Sequence, residues 1–177
     1  MIDKITVDRI KLLHPKVSSE VMSLYLDKIV PALTGRAICR FAYTLRTFSE
    51  QTALYAQGRT VLYDSKGRRL GKVTNAKSGE SFHNYGLALD IVLLRDTNAD
   101  GKFDAASWET NVDFDKDGKA DWMEVADIFK KAGWTWGGDW RFKDAPHFEK
   151  TFGYGWRTLL QKHLKGQYIP GTNYVTL

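Results

Sequence analysis

One carboxylate in the middle of the most apolar segment of the chain constrains the fold more than any other feature. Residues 87–94 read Leu-Ala-Leu-Asp-Ile-Val-Leu-Leu, so a strand built from them is apolar on both faces. Such a run is typical of a central strand that is buried on both sides. An unpaired charge at Asp90 would be costly there, and the sequence therefore predicts a partner for this side chain.

An imidazole lies seven residues before this carboxylate. In a continuous strand, residues an odd number apart point to opposite faces, but the turn-forming residues Asn84-Tyr85-Gly86 can fold His83 back toward Asp90. A carboxylate beside an imidazole is found in hydrogen-bonded structural pairs and also in zinc sites. Spacing alone leaves both interpretations open.

A catalytic zinc site takes three protein ligands, and three other histidines are candidates for the third. His147 has the most suitable setting, because a proline before it stiffens the backbone and Phe148 after it can anchor the segment in the core. An acid, Asp144, lies three positions away. By contrast, His14 precedes a proline at a predicted helix break, and His163 is expected on a solvated helix face.

Helices and strands alternate along the chain without a regular βαβ rhythm, which favours an α+β fold. We expect an antiparallel or mixed central sheet with flanking helices. No linker is long enough to divide the 177 residues, so a single domain over 1–177 is predicted. The predicted strands are 37–43, 87–94 and 134–136, and the predicted helices are 6–13, 47–57, 122–132, 156–164 and one that begins at Ser18 or Ser19.

Charge is distributed unevenly along the chain. The net charge is +5, yet residues 96–127 hold ten acidic residues and only three lysines, so the rest of the chain is strongly basic. A basic body suits a polyanion such as a bacterial cell wall. The absence of an arginine-rich or zinc-finger module argues against nucleic acid as the partner.

Two further features limit the location and chemistry of the protein. No apolar run is long enough for a membrane span, and the first ten residues carry charges where a signal peptide needs an apolar core, so cytoplasmic synthesis without an export signal is expected. The single cysteine, Cys39, excludes an internal disulfide. Its apolar surroundings favour a core residue over a nucleophile.

The acidic segment 96–124 contains a match to the twelve-residue calcium loop of EF-hands. Glycine occupies position 6, but the residues before the loop do not resemble an entering helix, so half an EF-hand is predicted, with a solvated acidic loop as the alternative. An earlier loop, 96–107, begins similarly but lacks the last acid, which leaves metal binding there open. The predicted calcium ligands are Asp113, Asp115, Asp117, the Lys119 carbonyl, Asp121 and Glu124.

Residues 81–90 resemble a family signature. They read Ser-Phe-His-Asn-Tyr-Gly-Leu-Ala-Leu-Asp and match every fixed position of Ser-x-His-x-x-Gly-x-Ala-x-Asp, the pattern of the D-alanyl-D-alanine carboxypeptidase and VanY-like zinc peptidases, family M15. Residues 136–148, with Asp before the last histidine, resemble the phage-endolysin branch, the L-alanyl-D-glutamate peptidases, and so do residues 46–59. The likeness runs from about Leu13 to the C-terminus and leaves no separate wall-binding module.

The resemblance implies a role for each matching residue. His83, Asp90 and His147 would hold zinc, and Asp144 would be the general base toward the zinc-bound water. Arg46 would stabilise the oxyanion, with a structural ion pair as its alternative role. The two weaker assignments, as contacts to the substrate or supports of the site, are Ser81 and Gln51.

The resemblance also implies an activity. We expect a monomeric zinc peptidase that cuts the L-alanyl-D-glutamate bond of peptidoglycan as a phage-type endolysin, reaching the wall once the membrane is breached. One alternative is a D,D- or L,D-carboxypeptidase of the same family. Another is an inactive, calcium-stabilised wall-binding protein, although such a protein would be expected to lose a zinc ligand or the base.

Overall fold

The apolar segment around Asp90 forms the central strand of an antiparallel sheet. The computed structural model describes residues 1–177, and its sheet has strand order β1-β2-β5-β4, with β3 paired to the C-terminal end of β2. All of the pairings are antiparallel. The strands are β1 (Ala37–Tyr43), β2 (Ala88–Arg95), β3 (Ala105–Ser107), β4 (Thr135–Trp136) and β5 (His147–Glu149).

The helices complete an α+β fold, which confirms the predicted class. A π-helical turn, Tyr25–Ile29, connects the second helix to the third, and 3-10 turns cover Phe82–Tyr85 and Gly137–Asp139. No helix combines the length and the apolar character that crossing a membrane requires. The helices are α1 (Lys4–Ile10), α2 (Pro15–Leu24), α3 (Val30–Ala32), α4 (Phe48–Ala56), α5 (Asp121–Lys131) and α6 (Trp156–Leu164).

The residues group into two units. The sheet unit consists of Met1–Thr44 and Ala88–Lys150, and it contains all five strands with α1, α2, α3 and α5. The α4–α6 unit consists of Leu45–Leu87 and Thr151–Leu177. That the whole chain works as one catalytic domain stays a prediction.

The core of the sheet unit is aromatic. In α5, Trp122, Val125 and Phe129 recur at helical spacing and are fully buried, as expected for the apolar face of an amphipathic helix. The Phe129 ring lies 4.8 Å from that of Phe148 in β5. Burial of each such side chain contributes about 1.5–3 kcal/mol, so this contact anchors β5. Cys39 is also buried, which raises the pKa of its thiol and confirms it as a core residue.

The start of the second helix was predicted wrongly. The sequence predicts a helix break at the proline after His14 and a new helix from Ser18 or Ser19, but α2 begins at Pro15. Proline is tolerated at the first helical position because its missing N–H would have no partner there. The His14 ring caps the helix, since its Nδ1 accepts a hydrogen bond from the Lys16 N–H at 3.1 Å.

The α4–α6 unit contains a second wrong expectation. His163 does not lie on a solvated face: its ring stacks on Phe48 of α4, with 4.1 Å between centroids and 14° between planes. Its Nδ1 lies 2.9 Å from the Tyr168 hydroxyl. Helical spacing within α6 could not show this, because both neighbours lie outside that helix.

Candidate active site

The pairing of β2 with β5 sets Asp90 opposite His147. The two residues are register partners, and Asp90 Oδ1 lies 3.1 Å from His147 Nδ1. Their side chains are 21% and 11% exposed, respectively. The carboxylate that the sequence left in need of a partner therefore has one in this imidazole.

A second carboxylate holds the other side of the same ring. Glu149 Oε2 lies 3.1 Å from His147 Nε2. The sequence places Glu149 close enough to His147 to affect the site electrostatically, and residues two apart on a strand point to the same face. With Nε2 facing Glu149, Nδ1 is the ring nitrogen on the side of Asp90.

These two carboxylates decide the protonation of the ring. Burial disfavours a charged imidazole, but the hydrogen bonds and negative charges of Asp90 and Glu149 outweigh it and raise the pKa of His147 to about 9. Without a metal, the His147 ring therefore carries a proton at neutral pH, because Asp90 and Glu149 stabilise a positive charge between them. Carboxylate and imidazole donors in this arrangement fit a divalent metal ion such as zinc.

His83 lies in the α4–α6 unit, on the 3-10 turn Phe82–Tyr85. The turn ends at Gly86, whose φ of 67° is a left-handed conformation that glycine adopts without strain. The sequence analysis predicted this turn correctly. The His83 side chain is 3% exposed, and its carbonyl accepts a hydrogen bond from the Arg46 N–H at 3.0 Å. Ser81 precedes the turn, and its carbonyl accepts a hydrogen bond from the Asn84 N–H.

Arg46 and Gln51 contact each other in this unit. Arg46 Nη1 donates to Gln51 Oε1 at 3.0 Å, and Gln51 Nε2 donates to the Ala76 carbonyl at 2.7 Å. Gln51 is fully buried. Of its two predicted roles, the structure therefore favours support of Arg46 over contact with a substrate.

Asp144 is exposed on the loop that leads into β5. Its N–H donates to the Gly137 carbonyl, and its own carbonyl accepts from the His147 N–H at 3.1 Å. A side chain at position 137 would collide with the Asp144 backbone, which explains a glycine there. The Trp140 ring centroid lies 5.3 Å from that of His147.

The tryptophans before this loop are mostly core residues. Trp134 and Trp136 are 3% and 7% exposed, and Trp136 Nε1 donates to the Ala145 carbonyl at 2.7 Å. Only Trp140 of the three is exposed enough to face a ligand.

The loop 113–124 turns around its own carboxylates. The Asp113 carboxylate accepts from the N–H groups of Lys116 and Gly118, and Gly118 has a φ of 95°. Ligand oxygens lie within 4.8 Å of one another in two overlapping groups. One group is Asp113, Asp115 and Asp117, and the other is Asp115, Asp121 and Glu124.

Two carboxylate oxygens in the second group are buried without a hydrogen-bond partner, Asp121 Oδ1 and Glu124 Oε2. Asp121 is fully buried. Burial, together with the charges of Asp115, Asp113 and Glu124, raises the pKa of Asp121 to about 6, against the opposing effect of a backbone N–H.

The earlier acidic loop is organised differently. The Asp96 carboxylate accepts from the backbone N–H groups of Asp100 and Gly101 at 3.2 and 2.9 Å. These bonds close the connection between β2 and β3.

A family of known proteins matches the part of the chain that carries this geometry. Residues 74–150 match the family model of the D-alanyl-D-alanine carboxypeptidases. The matched segment includes the 3-10 turn, β2, the loop bearing Asp144, and β5. Residues 74–150 are therefore similar to this peptidase family, as the resemblance indicated.

A characterised relative makes the comparison more specific. Over 105 residues the chain is 48% identical to the peptidoglycan L-alanyl-D-glutamate endopeptidase CwlK of Bacillus subtilis (strain 168). The aligned region covers 59% of this chain and 55% of that protein, so the chain spans about half the length of the relative.

The protonation of His147 gives a direct test of the site. In metal-free protein we expect the His147 ring to titrate near pH 9, well above an ordinary histidine. The attraction between the charged His147 ring and the two carboxylates stabilises the fold fully below about pH 6.5. This stabilisation is lost as the pH rises through about 9. Glu149→Gln should lower the pKa, because the charge that favours the imidazolium is gone.

The measurement is an NMR titration of the histidine ring resonances, with the exposed Glu109→Gln as the control variant. Equal His147 pKa values in the wild type and Glu149→Gln would contradict the assigned contact.

Proposed function

We propose that this protein is a zinc peptidase that hydrolyses the L-alanyl-D-glutamate bond in the stem peptide of peptidoglycan. The observation that carries the proposal is the pair of the partly buried Asp90 and the buried His147, held in register within the segment that matches the peptidase family. The name of the Bacillus subtilis relative, an L-alanyl-D-glutamate endopeptidase, supports the choice of bond.

The proposed zinc ligands are His83, Asp90 and His147. Two imidazoles and one carboxylate are a suitable donor set for catalytic zinc, which keeps a further position for water or substrate. Glu149 would orient His147 so that Nδ1 faces the metal, as carboxylates behind zinc-bound histidines commonly do. When bound, zinc lowers the pKa of water and polarises a carbonyl group.

Asp144 would act as the general base and then as the general acid. It would accept a proton from the water that attacks the alanyl carbonyl carbon, and donate it to the glutamyl nitrogen as the C–N bond breaks. Its exposure suits this exchange, and the backbone bonds to Gly137 and His147 fix its position. Arg46, held by Gln51, would stabilise the negative charge that develops on the carbonyl oxygen.

The proposed setting is cell-wall degradation of the phage endolysin type. Outside residues 96–127 the chain is strongly basic, which favours association with an anionic wall. In this setting the protein would act as a monomer, after release from the cytoplasm in which it is made.

A carboxypeptidase of the same family is the second candidate. The matching family model carries that description, and such an enzyme would release single alanines instead of cutting within the stem.

Digestion of purified peptidoglycan distinguishes these candidates. We expect new N-terminal D-glutamate by mass spectrometry, loss of the product after chelation, and recovery with zinc. Asp144→Asn should lower turnover by about 100-fold or more, because general acid–base catalysis contributes at least that much. The control variant is Asp139→Asn, an exposed acid in the preceding turn that pairs with Lys130.

Free alanine as the product would assign the protein to the carboxypeptidases. Wall binding without new termini would contradict the proposed activity and favour the inactive wall-binding alternative.

We also propose that the loop 113–124 binds calcium. The buried oxygens of Asp121 and Glu124 that lack partners support a cation between them and Asp115. Asp115 in addition accepts hydrogen bonds from the Thr34 N–H and hydroxyl, both at 3.0 Å. A bound ion would thereby join the loop, the first turn of α5 and the segment before β1.

Calcium and Asp121→Asn should each raise stability, because each removes the unfavourable effect of the Asp121 charge. Because the pKa of Asp121 is raised, its charge destabilises the calcium-free protein above about pH 6. Neutral Asn should therefore raise the melting temperature without calcium by about 2–4 °C, equivalent to about 1 kcal/mol. Calcium at 100 times its Kd should stabilise the wild type by about 2.7 kcal/mol and the variant far less.

Thermal melts at pH 7.5 with and without calcium measure both effects, with Asp127→Asn on the exposed face of α5 as the control. Calcium-independent melting of the wild type would exclude the site.

A further inference from the structure

A cavity of about 500 Å³ lies within the α4–α6 unit. Its walls come from the start of α4, the 3-10 turn Phe82–Tyr85, the end of α6 and the C-terminal residues 171–174. The volume is within the range of small-molecule and peptide pockets. Only the 3-10 turn among these walls lies in the segment that matches the family model.

The cavity is lined without a single acidic side chain, although the chain contains 21 acids. Arg46 supplies its one permanent charge. A guanidinium in a partly enclosed site favours a carboxylate, with which it forms charge-assisted hydrogen bonds.

His163 forms another part of the wall in a fixed orientation. Its ring is held by stacking on Phe48 and by the contact of Nδ1 with the Tyr168 hydroxyl. Nε2 is therefore the ring nitrogen left for a ligand. Asn84 has a different role: its amide oxygen accepts from the Gly79 N–H, and its amide nitrogen donates to the Arg46 carbonyl.

The position of Arg46 relates the cavity to the proposed chemistry. Its N–H is bonded to the carbonyl of His83, a proposed zinc ligand, and its side chain would stabilise the alanyl carbonyl oxygen. The residue that follows this carbonyl in the substrate is glutamate. A glutamyl residue within a peptide uses its nitrogen and one carboxyl group in amide bonds, so one carboxyl group remains.

We propose that this cavity is the subsite for the glutamyl residue on the amine side of the scissile bond, and that Arg46 and His163 recognise its remaining carboxylate. This inference rests on the proposed function. In this subsite, His163 and the C-terminal residues 171–174 determine whether the enzyme prefers a glutamyl residue with a free carboxylate or one with an uncharged amide.

Two synthetic stem peptides that differ only in this group test the subsite. One carries the free carboxylate of D-glutamate, and the other carries the primary amide. We expect the wild type to prefer the carboxylate by about tenfold or more in kcat/KM, as loss of a charged hydrogen bond predicts. His163→Phe keeps a ring that can stack on Phe48 but removes the nitrogens, and it should reduce this preference mainly through KM.

Lys165→Gln is the matched control, because it removes an exposed positive charge just beyond α6. It should keep the wild-type preference. Equal cleavage of the two peptides by the wild type would overturn the subsite while leaving the proposed hydrolysis intact. An unchanged preference for the carboxylate in His163→Phe would overturn the subsite in the same way.

Binding supplies a second measurement that does not depend on turnover. In the metal-free wild type, L-alanyl-D-glutamate with one glutamyl carboxyl group blocked as the methylamide should shift the NMR resonances of the His163 ring and the Asn84 amide. The analogue with both carboxyl groups amidated should shift them less. If neither stem peptide is cleaved, the proposed function fails, and these shifts decide the subsite separately. Shifts confined to other residues would overturn it.

Discussion

The contact between Asp90 and His147 is the constraint on which the rest of the sheet unit depends. A carboxylate in an otherwise apolar strand needs a partner, and only the antiparallel pairing of β2 with β5 brings this imidazole to 3.1 Å from it. A slip of one residue would turn every side chain of the strand to the other face. The pair therefore fixes the register at the same place where the chemistry is proposed.

Negative charge is concentrated at two places in the sheet unit. Around His147, Asp90 and Glu149 favour a cation strongly enough that the ring itself becomes one. In the loop 113–124, buried Asp121 and its acidic neighbours carry unfavourable charge that a cation would offset. Without a metal, the site around His147 binds a proton and the loop 113–124 loses stability. We propose metal binding at both places.

Elements whose signals are local were predicted well. The strand over 37–43 and the helix over 156–164 have the predicted bounds, and the turn before Gly86 follows from its residues. The start of α2 was wrong because a proline can begin a helix as well as end one. The apolar strand and the turn before it indicated Asp90 and His83 as candidates, and the family signature agreed, but neither contained information on what faces them.

Contacts between distant residues could not be predicted from the sequence. Asp90 and His147 are 57 residues apart. The resemblance grouped them as zinc ligands, but their direct contact depends on strand order. The stacking of His163 on Phe48 joins α6 to α4, which are far apart in the sequence, so periodicity within α6 gave the wrong environment. The burial of Gln51 likewise depends on a fold that places the Ala76 carbonyl beside it.

Anomalous scattering at the zinc edge, from crystals of the zinc-loaded protein, tests the central claim most directly. The account predicts one strong zinc site with three protein ligands: His83, Asp90, and His147 through Nδ1. Zinc bound without His83, zinc bound through His147 Nε2, or zinc found only at other residues would contradict it.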